Sequence, residues 1–202
     1  FDNLGSVEDE YFADGMTAEI IGKLSCVSGL GVISRQSVMG YKKTTKSTAQ
    51  IGKELGVEYL LEGTVRHDRN TDPPTVRISP ELIRVKDNVH LWADQLDLPL
   101  ASIFHAQAQI ALNIATALDV RLVKGEPAWL ERIPTQSTEA YKLLLRAYQL
   151  GGPTADAVAF GDSMLALTDQ ALALDSSIVV AWALQACVHA RTYHFSVDRK
   201  PE

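Results

Sequence analysis

Cysteine is almost absent: Cys26 and Cys187 stand far apart in a chain of 202 residues. Two thiols make neither a disulfide framework nor a zinc knuckle, so packing must hold the fold together. Long apolar runs are missing too, and no stretch reaches the roughly 18 residues that a membrane-spanning helix needs. The start, Phe1 to Glu10, is acidic and poor in apolar residues, unlike a secretory leader. Carboxylates are lacking in one window. Gly22 to Lys53 holds Lys23, Arg35, Lys42, Lys43, Lys46 and Lys53 and no acidic residue, in a chain whose formal net charge is −6. That overall charge argues against nucleic acid as a partner, because such affinity comes from neutralising phosphates. Tyr41 is the only aromatic residue in the window, too few for stacking successive bases.

Catalytic signatures are missing as well. There is no phosphate-cradling GxxxxGK[ST], no GxGxxG after a strand, no nucleophile elbow, no HExxH and no CxxC. His189 and His194 lack a third candidate ligand nearby, so no metal or other cofactor is expected. His90 beside Trp92 reads as packing with one polar edge outward, or as the lining of a pocket. Asp9, Glu10 and Asp14 cluster where carboxylates complement a helix amino terminus. The basic window reads either as a solvated lysine face or as a patch for an anion, with Arg35, Lys42, Lys43 and Lys46 as contacts.

What is present is a soluble, globular composition, 46% hydrophobic and 22% charged. Asp14 or Thr17 can cap a helix carrying Ile20, Ile21, Leu24 and Val27, which Gly29 and Gly31 end. Leu30 to Ser34 reads as a short buried strand, and a polar connection follows. Ser47 with Gln50 gives a capping box for a second helix that stops at Gly56. Three β-rich runs follow, Val57 to Val65, Thr75 to Val85 and Val89 to Gln95. Pro80 lacks the amide hydrogen a central strand donates, so a bulge is expected there, or a donor direction facing no neighbour. A long amphipathic helix is predicted from Ser102 to about Val123, to lie across one sheet face. Gly125, Pro127 and Pro134 mark a boundary, and beyond it the chain is helical: Ser137 to Leu150, Ala155 to Leu174 and Ile178 to about Tyr193. The fold class is therefore α/β followed by all-α.

The segments FDNLGSVEDEYFADGMTAEIIGKLSCVSGLGVISRQSVMGYK, IGKELGVEYLLEGTVR and HLWADQLD resemble the TolB-type amino-terminal domain that occurs beside tetratricopeptide repeats in bacterial adenylate-cyclase-like proteins, winged-helix regulators and some kinases. The resemblance implies a three-layer mixed sheet over residues 1–124. It also implies an opening strand, of which Phe1 looks like the last residue, lying between the strands at 30–34 and 57–65. That slot is then left to a neighbouring chain, another segment or a rearrangement. Residues 125–136 become a packed connector.

Residues 137–202 resemble a partial tetratricopeptide-like array of helical hairpins. TDQALALDSS matches the end of a repeat, with Ala171 at the small position, and Trp182 and Ala186 match the opening of the next. Ser176 replaces the usual proline, Leu184-Gln185 the usual glycine-leucine pair, and the joint from Gly151 to Gly161 is long. Such repeats bury their apolar sides only against one another, so further repeats, or a partner on the last helix, are expected. The implied function is a non-catalytic regulatory module docking a protein partner, with Tyr141, Leu145, Tyr148 and Gln149 as contacts and a dimer through a sheet edge or the terminal helix as a further option. Any catalytic domain would lie elsewhere. A membrane anchor before Phe1 would place the module in the periplasm, and without one it would be cytoplasmic.

Overall fold

The computed structural model describes residues 1–150 and 160–195, apart from the side chains of His194 and Phe195. The chain divides into two compact units, Phe1–Arg132 and Ile133–Glu202. Part of the long joint before Gly161, the start expected at Ala155 for the second helix of the array, and the pairing of His189 with His194 lie outside the described residues.

The first unit is mixed α/β. Its sheet contains β1 (Asp2–Asn3), β2 (Tyr59–Asp68), β3 (Thr75–Arg84), β4 (Val89–Ala93) and β5 (Leu96–Pro99). β1 runs parallel to β2, and β3 is antiparallel to β2, β4 and β5. Alternation decides the faces. Val65, Val76, Ile78, Pro80 and Leu82 are buried on one side, beneath α1 (Glu10–Ser25) and α4 (Ile103–Ala117). The opposite side exposes Glu62, Arg66 and Arg77 and is closed only near Ile83. Over much of the second face, charged residues on alternate positions keep the sheet in water.

At Pro80 the second expected form holds, and the bulge expected there is absent. β4 and β5 are successive stretches facing β3, with Glu81 opposite Ala93 and Ile78 opposite Leu96. The ladder is broken at Ser79 and Pro80, where the Pro80 carbonyl still accepts from the Asp94 amide at 3.1 Å but no proline N–H exists to answer it. A register shift follows at Leu82 and Ile83.

Several other boundaries move. The first helix begins at Glu10, so Asp14 and Thr17 lie inside it and cap nothing; Thr17 Oγ1 donates to the Ala13 carbonyl. Leu30 to Ser34 forms no strand, because no strand lies alongside it. A short helix α2 (Arg35–Met39) stands where a polar connection was expected, capped by Ser34. The capping box at Ser47 and Gln50 is present on α3 (Thr48–Leu55), which ends on Gly56 with φ of 67°. α4 stops early, with Asp119 at φ of 54° beyond it. Gly125, at φ of 102°, leads into α5 (Glu126–Leu130).

The second unit holds α6 (Thr138–Leu150), α7 (Gly161–Leu174) and α8 (Val179–Phe195). Its core is built on small residues: Ala140, Ala171 and Ala181 pack with Leu144 and Ile178. α6 lies against α7 and α7 against α8. Asp175 closes the joint, accepting from the Ser177 amide at 3.0 Å and, through its other oxygen, from the Thr135 hydroxyl at 2.6 Å. No described helix is long and apolar enough to cross a membrane.

Candidate functional site

A wide concavity of the first unit follows from an incomplete strand pairing. Leu4 donates its amide to the Val65 carbonyl at 2.9 Å, so the Val65 backbone faces β1. By alternation the peptide groups of Tyr59, Leu61 and Gly63 face the same way, but β1 reaches only Thr64 and Val65. Beside this edge opens a groove of about 1390 Å3, walled by Ile20, Ile21 and Leu24 of α1, by Gly29 to Ile33, by Val38 and Met39 of α2 and by Ile51 and Leu55 of α3. This is the slot expected between residues 30–34 and 57–65. Phe1 sits at one end, against Gly63, where an added Cβ would lie 2.8 Å from the Phe1 ring and 2.3 Å from the Ser79 carbonyl oxygen. The Phe1 ammonium donates to Thr17 Oγ1 at 3.1 Å, and burial holds its pKa below the ordinary value.

The basic window supplies one wall of the groove, with Tyr41, Lys42, Lys43 and Lys46 in its lining. Each of the three lysines has a carboxylate. Lys42 pairs with Asp14 and, at 2.7 Å, with Glu10, while Lys43 reaches Glu10 at 3.5 Å. Burial alone would lower the Lys42 pKa, but the hydrogen bonds to Asp14 and Glu10 outweigh it and the net direction is up. Glu10 is pushed down, chiefly by its hydrogen bond with Lys42. Lys46 binds Glu54 at 2.7 Å and lies 5.4 Å over the Tyr41 ring, whose hydroxyl donates to the same carboxylate at 2.8 Å. Arg35 stands apart, its Nε buried without a hydrogen-bond partner.

The second group of predicted contacts is split. On α6, Tyr141 and Leu145 are each 1% exposed, whereas Tyr148 is half-buried and Gln149 exposed. Larger exposed apolar side chains lie on α8, where Val179 is 67%, Trp182 55% and Tyr193 79% exposed, and at the end of α7, where Leu174 is 54% exposed. His90 lies on the polar face of the sheet, 3.1 Å from Glu81, with Trp92 half-buried.

Two further clusters carry no local sequence signal. Asp9, buried, receives Arg69 and faces Nδ1 of His67 at 3.3 Å; the His67 ring stacks on Phe12 and its Nε2 is buried without a partner. Lys23, also buried, donates to the carbonyls of Leu130 and Arg132 at 2.5 and 3.3 Å. Glu126 accepts from the amides of Ser28 and Val123 at 2.6 and 2.7 Å. Among the described residues no group of three or more histidine, cysteine, aspartate or glutamate side chains could hold a metal ion.

No family model matches the chain. Over 150 residues, 74% of its length, it is 43% identical to a protein of Rhizobium meliloti (strain 1021) named "Putative adenylate cyclase 3". The matched part spans 25% of that relative, so the similarity ties this chain to a quarter of a longer, cyclase-named protein.

Proposed function

We propose that the chain is a non-catalytic regulatory and protein-interaction module of a larger bacterial signalling protein: a TolB-like unit followed by tetratricopeptide-like helices that dock a protein partner. The observation that carries this reading is the outer face of α8. Val179, Trp182, Ala183, Ala186, Ala190 and Tyr193 recur at helical spacing and are all exposed, while Ile178, Ala181 and Val188 of the same segment are buried. A helix apolar on two opposite sides is built for a neighbour on each. Of the contacts expected on α6, Gln149 is exposed and Tyr148 half-buried, and Tyr141 and Leu145 serve packing.

The relative's name supplies the wider context, and the coverage of that relative leaves ample room for a catalytic domain elsewhere. Two assays test the reading. This chain alone, incubated with ATP and a divalent cation, forms no cyclic nucleotide; turnover by the isolated chain would overturn the proposal. In the full-length protein, Trp182→Glu changes the regulation of activity and leaves the basal rate in place. A basal rate that collapses while the fold persists assigns α8 to the catalytic machinery instead.

A second reading, anion sensing by residues 34–48, is favoured by the unpartnered Nε of Arg35, which shares the basic window of the sequence with Lys42, Lys43 and Lys46. The carboxylates already bound to the three lysines weigh against it. Phosphate titration followed by the Arg35 Nε resonance discriminates: a saturable shift supports anion binding, and none removes it.

A further inference from the structure

The open face of the sheet carries its charges in an order that solubility alone does not call for. Alternation along β2 puts Glu62, Thr64 and Arg66 on that face, and strand pairing sets Glu81, Ser79 and Arg77 of β3 directly opposite them. Two carboxylates thus face each other at one level, and two guanidinium groups at another about 13 Å along the strands. Like charges directly opposite each other destabilise a sheet, so a face that only had to stay wet would do better with each glutamate opposite an arginine. The next ribbon answers half of this. His90 lies 3.1 Å from Glu81, and Asp97 accepts from Arg77 at 2.6 Å. Glu62 and Arg66, both exposed on β2, are left with no ion pair among the described residues. Partial desolvation, and after it the charge of Glu81, hold the Glu62 pKa above its ordinary value.

We propose that two copies of the chain meet through this face, related by a two-fold axis that runs across the strands at the level of Thr64 and Ser79. Such an axis keeps β2 over β2 and β3 over β3 and reverses their direction, so the acidic row of each copy lies over the basic row of the other. Glu62 then meets Arg66 of the other copy and Glu81 meets Arg77, while Asp97 turns towards His90. Every pair occurs twice. The choice of a second copy rests on this self-complementarity, because the two rows stand two residues to either side of one centre. A basic partner would leave the arginine row unanswered, and an acidic partner the glutamate row. The centre itself holds only the short side chains of Thr64 and Ser79, which allow two sheets to approach to about 10 Å. The surface belongs to the first unit alone, and neither the regulatory nor the anion-sensing reading is needed for this inference.

Sedimentation equilibrium of the whole chain tests it, with the two β2 charges reversed one at a time. The unchanged chain is expected to dimerise at low salt and at concentrations up to about 0.5 mM, and to bind about tenfold or more weakly once salt rises to about 0.3 M. Glu62→Arg sets arginine over arginine in a dimer of identical copies, and Arg66→Glu sets glutamate over glutamate. Each alone should weaken dimerisation by about tenfold or more, and an equal mixture of the two, in which every level is again complementary, should return to within about threefold of the unchanged chain. A chain that stays monomeric at low salt overturns the proposal. So does a dimer that neither reversal weakens, which places the interface elsewhere, and so does a mixture that fails to recover. Circular dichroism checks that each variant is folded; if a reversal is not tolerated, Glu62→Gln and Arg66→Gln take its place, each expected to weaken the dimer by about threefold, and no change with either overturns the proposal.

Discussion

The two units leave apolar surface open in opposite ways. In the first it lies in a concave groove beside a strand edge that β1 covers for two residues. In the second it is the convex outer side of α8. A concave edge with free peptide groups selects for backbone as well as side chains, whereas a helix satisfies its own backbone and presents side chains alone. The units also differ in what holds them. The sheet depends on pairings distant in sequence and on close backbone approach, and the helical unit on alanines at the contact between neighbours.

The largest expected effect follows from the closest approach. Gly63→Val places a side chain against the Ser79 carbonyl and the Pro80 Cα, and should cost about 3 kcal/mol or more. In urea, the first unit should then unfold at lower concentration while helical ellipticity from α6 to α8 persists; joint loss of both would show that the units are not separable. Next is Lys23→Met, which strips the Leu130 and Arg132 carbonyls of their donor and should cost about 1–3 kcal/mol, measured by the same titration. Gly52→Ala should cost less, about 1–2 kcal/mol, since its Cβ would meet the Val85 methyls at 2.4 Å and those can shift. Combining it with Val85→Ala should show a coupling energy of rescuing sign in a double-mutant cycle, and strict additivity would place the clash elsewhere.

Acid sharpens the comparison further, because each unit has one carboxylate at a joint. Hydrogen bonds from Ser28 and then Val123 hold the Glu126 pKa below its ordinary value of 4.5, and those from Ser177 and then Thr135 hold Asp175 below 3.8. With folded values depressed, the stabilisation is complete above the ordinary values and fades as pH falls through the folded ones. Glu126→Gln should therefore flatten the stability profile below pH 4.5 for the first unit only, and Asp175→Asn below pH 3.8 for the second only. A variant that flattens both profiles would break the separation. Smallest of all is Trp182→Ala, which touches an exposed ring bonded through Nε1 to the Ser176 carbonyl at 3.1 Å and should change stability by less than about 1 kcal/mol.

What could be read from the sequence was what is decided locally. The Ser47–Gln50 box, the Gly56 stop and the alternation of β3 involve residues a few places apart, and each appears where expected. α2 went unread because five residues contain too little periodicity. LGVIS at 30–34 has the composition of a strand, but a strand also needs a partner, and none is there. β5 was hidden because its four residues, LDLP, carry a proline and pair back onto the start of β3. The basic window was plain, but its neutralisation was not: Lys42 meets Asp14 across 28 residues, and no spacing rule foretells that. Lys23 and Glu126, which tie α1 and the following loop to the segment around α5, are invisible for the same reason.

The seam at Pro80 has a consequence for how this protein behaves in a crowded solution. It divides the outermost ribbon of the sheet into two pieces of five and four residues, each gripping β3 separately. A long flat border invites other chains to zip onto it, and short pieces separated by an interruption give such growth no continuous template. One missing hydrogen thus acts as a guard against fibre formation, at the same position where it weakens the ladder.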